Sequence, residues 1–124
     1  MTNILDTSAI IKAMKSPALA EKIGAITGDS PLSTTSICKQ ELLMVRTDKE
    51  QFVVKHILDT MNIFEHTSLA ADLGAEIWHD LRNKGTLIHE FDILIAAICK
   101  ANNAHLITFD KDFVKIKDLQ VTVL

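Results

Sequence analysis

Four of the 16 acidic residues stand where solvated charge is hard to explain. Asp6 ends the apolar run "NIL" and leads into "TSAIIKAM". In a parallel sheet that places it at the carboxyl edge of a strand, where ligands of open α/β folds bind, although capping the following helix is an alternative use. Asp110 repeats the arrangement just after the apolar run "HLIT". Glu41 falls within a stripe formed by Ile37, Cys38, Leu42 and Val45, on the face of a helix expected to meet the core. A partner such as Lys39 or Arg46 is the alternative there. Asp92 begins "DILIAAICK", a helix apolar nearly all round, where a carboxylate either favours the helix N-terminus or faces a cleft.

Two carboxylates at strand ends and two on helix faces would converge on one cleft. Four such charges repel and remain ionised together only if cations neutralise them. A set of oxygen ligands without Cys or His favours hard divalent ions, Mg²⁺ or Mn²⁺ over zinc. Carboxylate sites of that kind serve phosphodiester chemistry, in which ions activate water and stabilise the leaving oxygen. Thr7 or Ser8 can then orient Asp6, and Thr108 can do the same beside Asp110.

The elements that must position these residues are legible in order. Asn3 to Leu5 reads as a strand, followed by a helix for which Thr7 and Ser8 offer caps. Ser16 and Pro17 open a second helix that fades near Gly28. "SPLSTTS" gives a short strand whose hydroxyls can cap "ICKQELLMVR", and a helix "KEQFVVKHILDTM" leads to the extended piece "NIFEHT". Ser68 is the expected cap of a long helix closed by Gly85, and a further helix covers roughly Phe91 to Ala101. "AHLITF" and "LQVTVL" supply the last strands around a polar "DKD" turn. Alternating strands and helices predict a three-layer α/β/α sandwich with a small central parallel sheet.

Composition sets the outer limits. With 124 residues, 48% of them hydrophobic and 23% charged, the chain is expected to form one domain, residues 1–124, rather than a disordered or fibrous segment. No apolar stretch approaches the roughly 20 residues of a membrane helix, and Met1 leads into polar residues, so a cytoplasmic protein is expected. Cys38 and Cys99 sit in apolar runs outside any CxxC pair, which speaks against structural zinc or a disulfide. The net charge of −3 argues against a broad basic nucleic-acid surface. Neutralising the four carboxylates brings it to +1, and cations such as Lys12, Lys39, Arg46, Arg82 and Lys84 are then available to hold a polyanion.

In "ILDTSAII", "ICKQELL", "LRNKG" and "FDILIAAICKANNAHLITFDKDF" the chain resembles the PIN-domain ribonucleases, in particular VapC-like toxins of toxin–antitoxin pairs. The matching segments span nearly the whole length in family order. The resemblance implies an acidic quartet of Asp6, Glu41, Asp92 and Asp110, with Ser8 and Thr108 as supporting hydroxyls. It further implies Mg²⁺- or Mn²⁺-dependent endoribonuclease activity on RNA, a homodimer and an antitoxin partner that blocks the site. Phe91 departs from the small or polar residue common before the central Asp, and is either a core aromatic or a base-stacking surface. Asp112 is either a fifth acid or part of a solvated turn.

Other classes fit less well. A non-catalytic PIN-like module binding RNA or protein would have no reason to keep buried charges. An aspartyl phosphatase needs a second aspartate where Ser8 stands, and an EF-hand needs a glycine where Lys115 stands.

Overall fold

The computed structural model describes residues 1–124. Five short strands form the centre: β1 (Asn3–Leu5), β2 (Ser33–Thr35), β3 (Asn62–Phe64), β4 (His105–Thr108) and β5 (Val121–Val123). All neighbours pair in parallel, in the order β3-β2-β1-β4-β5. The chain therefore grows outward from β1 on one side and then crosses to β4 and β5 on the other. That reversal opens a crevice beyond the carboxyl ends of β1 and β4, the place where open parallel sheets bind ligands.

Six helices cover the sheet: α1 (Thr7–Lys15), α2 (Pro17–Thr27), α3 (Ser36–Leu43), α4 (Asp48–Leu58), α5 (Ser68–Asn83) and α6 (Glu90–Ala101). The period-2 alternation of the strands sorts them into layers. Ile4 and Leu106 pack with Ala70, Ile77 and Leu81 of α5 and with the buried run Ile95 to Cys99 of α6. Leu5 and Ile107 point the other way, onto Ala9 and Ile10 of α1, Ile23 of α2, and Val54 and Leu58 of α4. α3 straddles the two cores, giving Cys38 to the first and Leu42 to the second. The expected three-layer α/β/α sandwich is the observed architecture, and no helix is long and apolar enough to cross a membrane.

Local chemistry fixes the element ends. Ser16 caps α2 with Pro17 in its first turn, as expected, and Gly28 and Gly85 take positive φ beyond the helices they close. Three expectations are settled or shifted by up to three residues. Asp6 caps α1, the alternative use its position allowed, in place of Thr7 or Ser8, and Thr67 rather than Ser68 caps α5, its Oγ1 accepting the Ala70 N–H at 3.2 Å. α3 ends at Leu43, so Val45 lies outside the helix and the stripe around Glu41 is shorter than its sequence spacing implies.

The two apolar layers are what hold the short strands in register. Leu106→Ala, at a fully buried position of β4, is expected to lower the unfolding free energy by about 2–5 kcal/mol, whereas Leu87→Ala, at a half-exposed position, should change it by less than about 0.5 kcal/mol. Urea denaturation of the two variants checks the difference.

Candidate functional site

The site begins with a buried carboxylate. Asp6, only 4% exposed, takes an extended backbone where β1 ends, and its Oδ1 accepts the Ala9 N–H at 2.9 Å to start α1. The same oxygen accepts the Ser8 hydroxyl at 2.8 Å, and Oδ2 accepts the Thr108 hydroxyl at 2.5 Å. Each hydroxyl in turn accepts a backbone N–H from the segment after β4. Phe109 donates to Ser8 Oγ at 3.1 Å, and Asp110 donates to Thr108 Oγ1 at 3.0 Å. Two N–H to hydroxyl to carboxylate relays thus tie the end of β4 to the end of β1.

These relays also aim Asp110. Its N–H is engaged by Thr108, and its Oδ1 accepts the Asp112 N–H at 2.9 Å, capping the 3₁₀ turn Lys111–Lys115. The tight turn brings Asp112 around to the same side. Carboxylate oxygens of Asp92, Asp110 and Asp112 lie within 4.8 Å of one another, each residue half-buried. Asp92 is delivered by the first turn of α6, whose cap is His89, the Nδ1 of which accepts the Phe91 N–H at 3.1 Å.

Glu41 comes from α3, itself started by Thr35 at the end of β2. It is half-buried rather than core-bound, and neither Lys39 nor Arg46 pairs with it. Its Oε1 accepts the Thr7 hydroxyl at 2.8 Å. The two hydroxyls after Asp6 therefore divide the work, Ser8 serving Asp6 and Thr7 serving Glu41.

The electrostatics record how close these groups come. Burial raises the Asp6 carboxyl above its ordinary range, opposed by its three hydrogen bonds and aided by the charge of Asp110. Asp92 is pushed up to about 6, first by burial and then by Asp110, with Asp6 and Glu41 adding to the effect and His89 opposing it. All three other acids of the expected quartet thus act on Asp92. Beneath them, burial also raises the Cys38 and Cys99 thiols, so neither offers a thiolate.

Asp92, Asp110 and Asp112 offer oxygen ligands that come together, while Asp6 and Glu41 of the expected quartet stand outside that group and reach Asp92 through its field. That chemistry fits a hard divalent cation, and no histidine or cysteine joins the clustered carboxylates. Asp112 is the acid the sequence left ambiguous. Its signal was the spacing in "DKD", and only the 3₁₀ geometry turns that spacing into proximity, with Lys115 at 3.0 Å on its outer oxygen. Phe91 is half-buried edge-on to His89, with ring centres 5.4 Å apart, and does not enter the central core.

A family model described as PIN domain matches residues 4–119. No curated protein sequence matches. Among solved structures, a chain of VapBC2 from Rickettsia felis bound to a DNA fragment from its promoter superposes with a TM-score of 0.89 at 22% identity, over 100% of this chain and 99% of that one. VapBC-1 from nontypeable Haemophilus influenzae gives 0.85 at 24% identity, over 99% and 98%. VapBC-5 from Mycobacterium tuberculosis, a member of the VapBC family of toxin–antitoxin systems, gives 0.71 at 21%, over 99% and 97%. Likeness at these identities establishes the shared fold.

Because the Asp92 carboxyl rises from 3.8 to about 6 on folding, its contribution to stability is complete below the lower value and is lost as pH climbs through the higher one. In EDTA at pH 8, Asp92→Asn is therefore expected to melt about 3 °C or more above the wild type, about 1 kcal/mol after discounting for solvent screening. The gap should close below about pH 4, where the wild-type carboxyl is protonated in both states. Thermal melts across that range test it, and a variant no more stable at pH 8 contradicts it.

Proposed function

The chain belongs to the PIN-domain family, and on that premise we propose that it is a Mg²⁺- or Mn²⁺-dependent endoribonuclease that hydrolyses RNA phosphodiester bonds, the toxin of a toxin–antitoxin pair. The observation that carries this reading is the convergence of the Asp92, Asp110 and Asp112 carboxylates within 4.8 Å of one another, in a fold whose strand order opens a crevice beyond β1 and β4. Carboxylates gathered so closely destabilise the chain unless a cation joins them, and a protein without such a ligand gains nothing from the arrangement.

Asp6, Glu41, Asp92 and Asp110 would hold the ion, with Asp112 close enough to complete the set. When bound, the ion neutralises the cluster and supplies Lewis-acid activation of water and stabilisation of the leaving oxygen. The chain's own residues do the rest. Ser8 and Thr108 fix both oxygens of Asp6, leaving its remaining lone pairs directed by the backbone of two strands. Thr7 holds Glu41 toward the same cleft. The affinity of Asp92 for a proton near pH 6 has the same source as its affinity for a cation, since both relieve one field.

The toxin assignment is supported by the VapBC complexes among the structural neighbours, which also motivate an antitoxin protein as partner. A homodimer, a cytoplasmic location and a single nuclease domain over residues 1–124 complete the proposal.

Purified wild-type protein is expected to cut end-labelled RNA in Mg²⁺ or Mn²⁺ and not in EDTA. Asp6→Asn and Asp92→Asn should each slow cleavage by at least on the order of 10²-fold. Asn remains a good helix cap, so Asp6→Asn separates loss of the ligand from loss of the α1 start. A folded Asp92→Asn variant cutting at the wild-type rate, or cleavage that persists in EDTA, would refute the reading.

A further inference from the structure

The site is acidic and its substrate is a polyanion, so some cation must receive the strand beside the metal. Lys115, beside the acidic cluster, is taken up by Asp112 at 3.0 Å. Lys12 is set apart by what its ammonium rests on. It lies exposed on α1, four residues and so one helical turn beyond Ser8, and it makes no ion pair with any carboxylate. Its ammonium instead rests over the ring of Phe109, 4.4 Å from the centre.

Phe109 is no ordinary surface aromatic. It stands between Thr108 and Asp110, its N–H is the donor that fixes Ser8, and its side chain is half-buried. The backbone that carries the ring is held by the same relay that orients Asp6, and the half-buried ring packs against the second core. A flexible ammonium stacked on an aromatic that immediately precedes Asp110 combines the two groups that single strands require: a cation for the backbone and a π-face for a base.

We propose that Lys12 and Phe109 form the substrate shelf of this site. The Lys12 ammonium leaves the ring to bind the phosphate next to the scissile one, and the ring face it uncovers takes the adjoining base. The proposal rests on the nuclease reading above and specifies how the RNA is held.

Fluorescence anisotropy with fluorescein-labelled oligoadenylate tests it, using the Asp92→Asn background in Mg²⁺ so that the strand is not cut, while wild-type cleavage of RNA is assayed in parallel. Lys12→Ala is expected to weaken binding about fivefold at low salt and to reduce the slope of log affinity against log salt by about 0.7, the share of one phosphate on a single strand. Lys12→Arg should keep the slope. Phe109→Leu should keep the slope but lose about tenfold in preference for oligoadenylate over an abasic strand of equal length. Thermal melts establish that each variant is folded. If the wild type cuts RNA and Lys12→Ala binds with an unchanged slope, the shelf is wrong and the nuclease reading stands. If the wild type neither cuts nor the background variant binds, both fall together.

Discussion

The hydrogen-bonded burial of Asp6 is the constraint on which the rest of this structure depends. A carboxylate 4% exposed is costly in a protein interior unless its oxygens are satisfied, and here the satisfying groups come from one helix and one strand. Ala9 N–H and Ser8 supply one oxygen and Thr108 the other. Because Ser8 and Thr108 are themselves held by the N–H groups of Phe109 and Asp110, the first and fourth strands cannot shift relative to each other without leaving a buried charge unpaired. The start of α1, the tie between the ends of β1 and β4, and the hold on the Asp110 backbone all pass through one side chain.

The apolar layers make that arrangement affordable in energetic terms. Fully buried Ile4, Leu106 and Ile107 flank the relay on both faces of the sheet, and α6 buries Ile93 and Ile95 to Cys99 while presenting Asp92 at its first turn. The helix that supplies the most core therefore also carries Asp92, raised first by burial and then by its acidic neighbours. Hydrophobic packing fixes Asp92 in a field it would otherwise leave, and a cation relieves what packing imposes. Stability and cation affinity are in this sense opposed: each additional acid at the crevice costs the metal-free fold something and adds to the attraction for a hard ion.

Much of this was legible in the residues. The five strands and six helices follow from apolar periodicity and from caps such as Ser16 with Pro17, because those signals act locally. What failed to be legible was the choice among adjacent equivalents. "DTS" and "TS" each offer consecutive cap-competent side chains, and only the end of the preceding segment decides that Asp6 and Thr67 do the capping. The stripe through Val45 could not be cut at Leu43 from sequence because no glycine or proline marks the end of α3. Glu41 looked buried for that reason and is half-buried. Asp112 was ambiguous because two carboxylates two residues apart diverge in an extended chain and meet only in a 3₁₀ turn. That a cation would be held against an aromatic ring at Lys12 was not visible at all, since the contact joins residues 97 positions apart.

The proposed chemistry also resolves how a chain of net charge −3 can take a polyanion as substrate. Without an ion, the crevice repels both its own carboxylates and any phosphate that approaches. Neutralising the four acids brings the net charge to +1, which is too small for a broad electrostatic surface and leaves attraction to local groups. Ion uptake, relief of the folded state and competence to bind RNA are then consequences of one event at one place. An ordering follows from that coupling: the ion precedes the strand, because the strand's phosphates meet a favourable field only after the carboxylates around Asp6 have been neutralised.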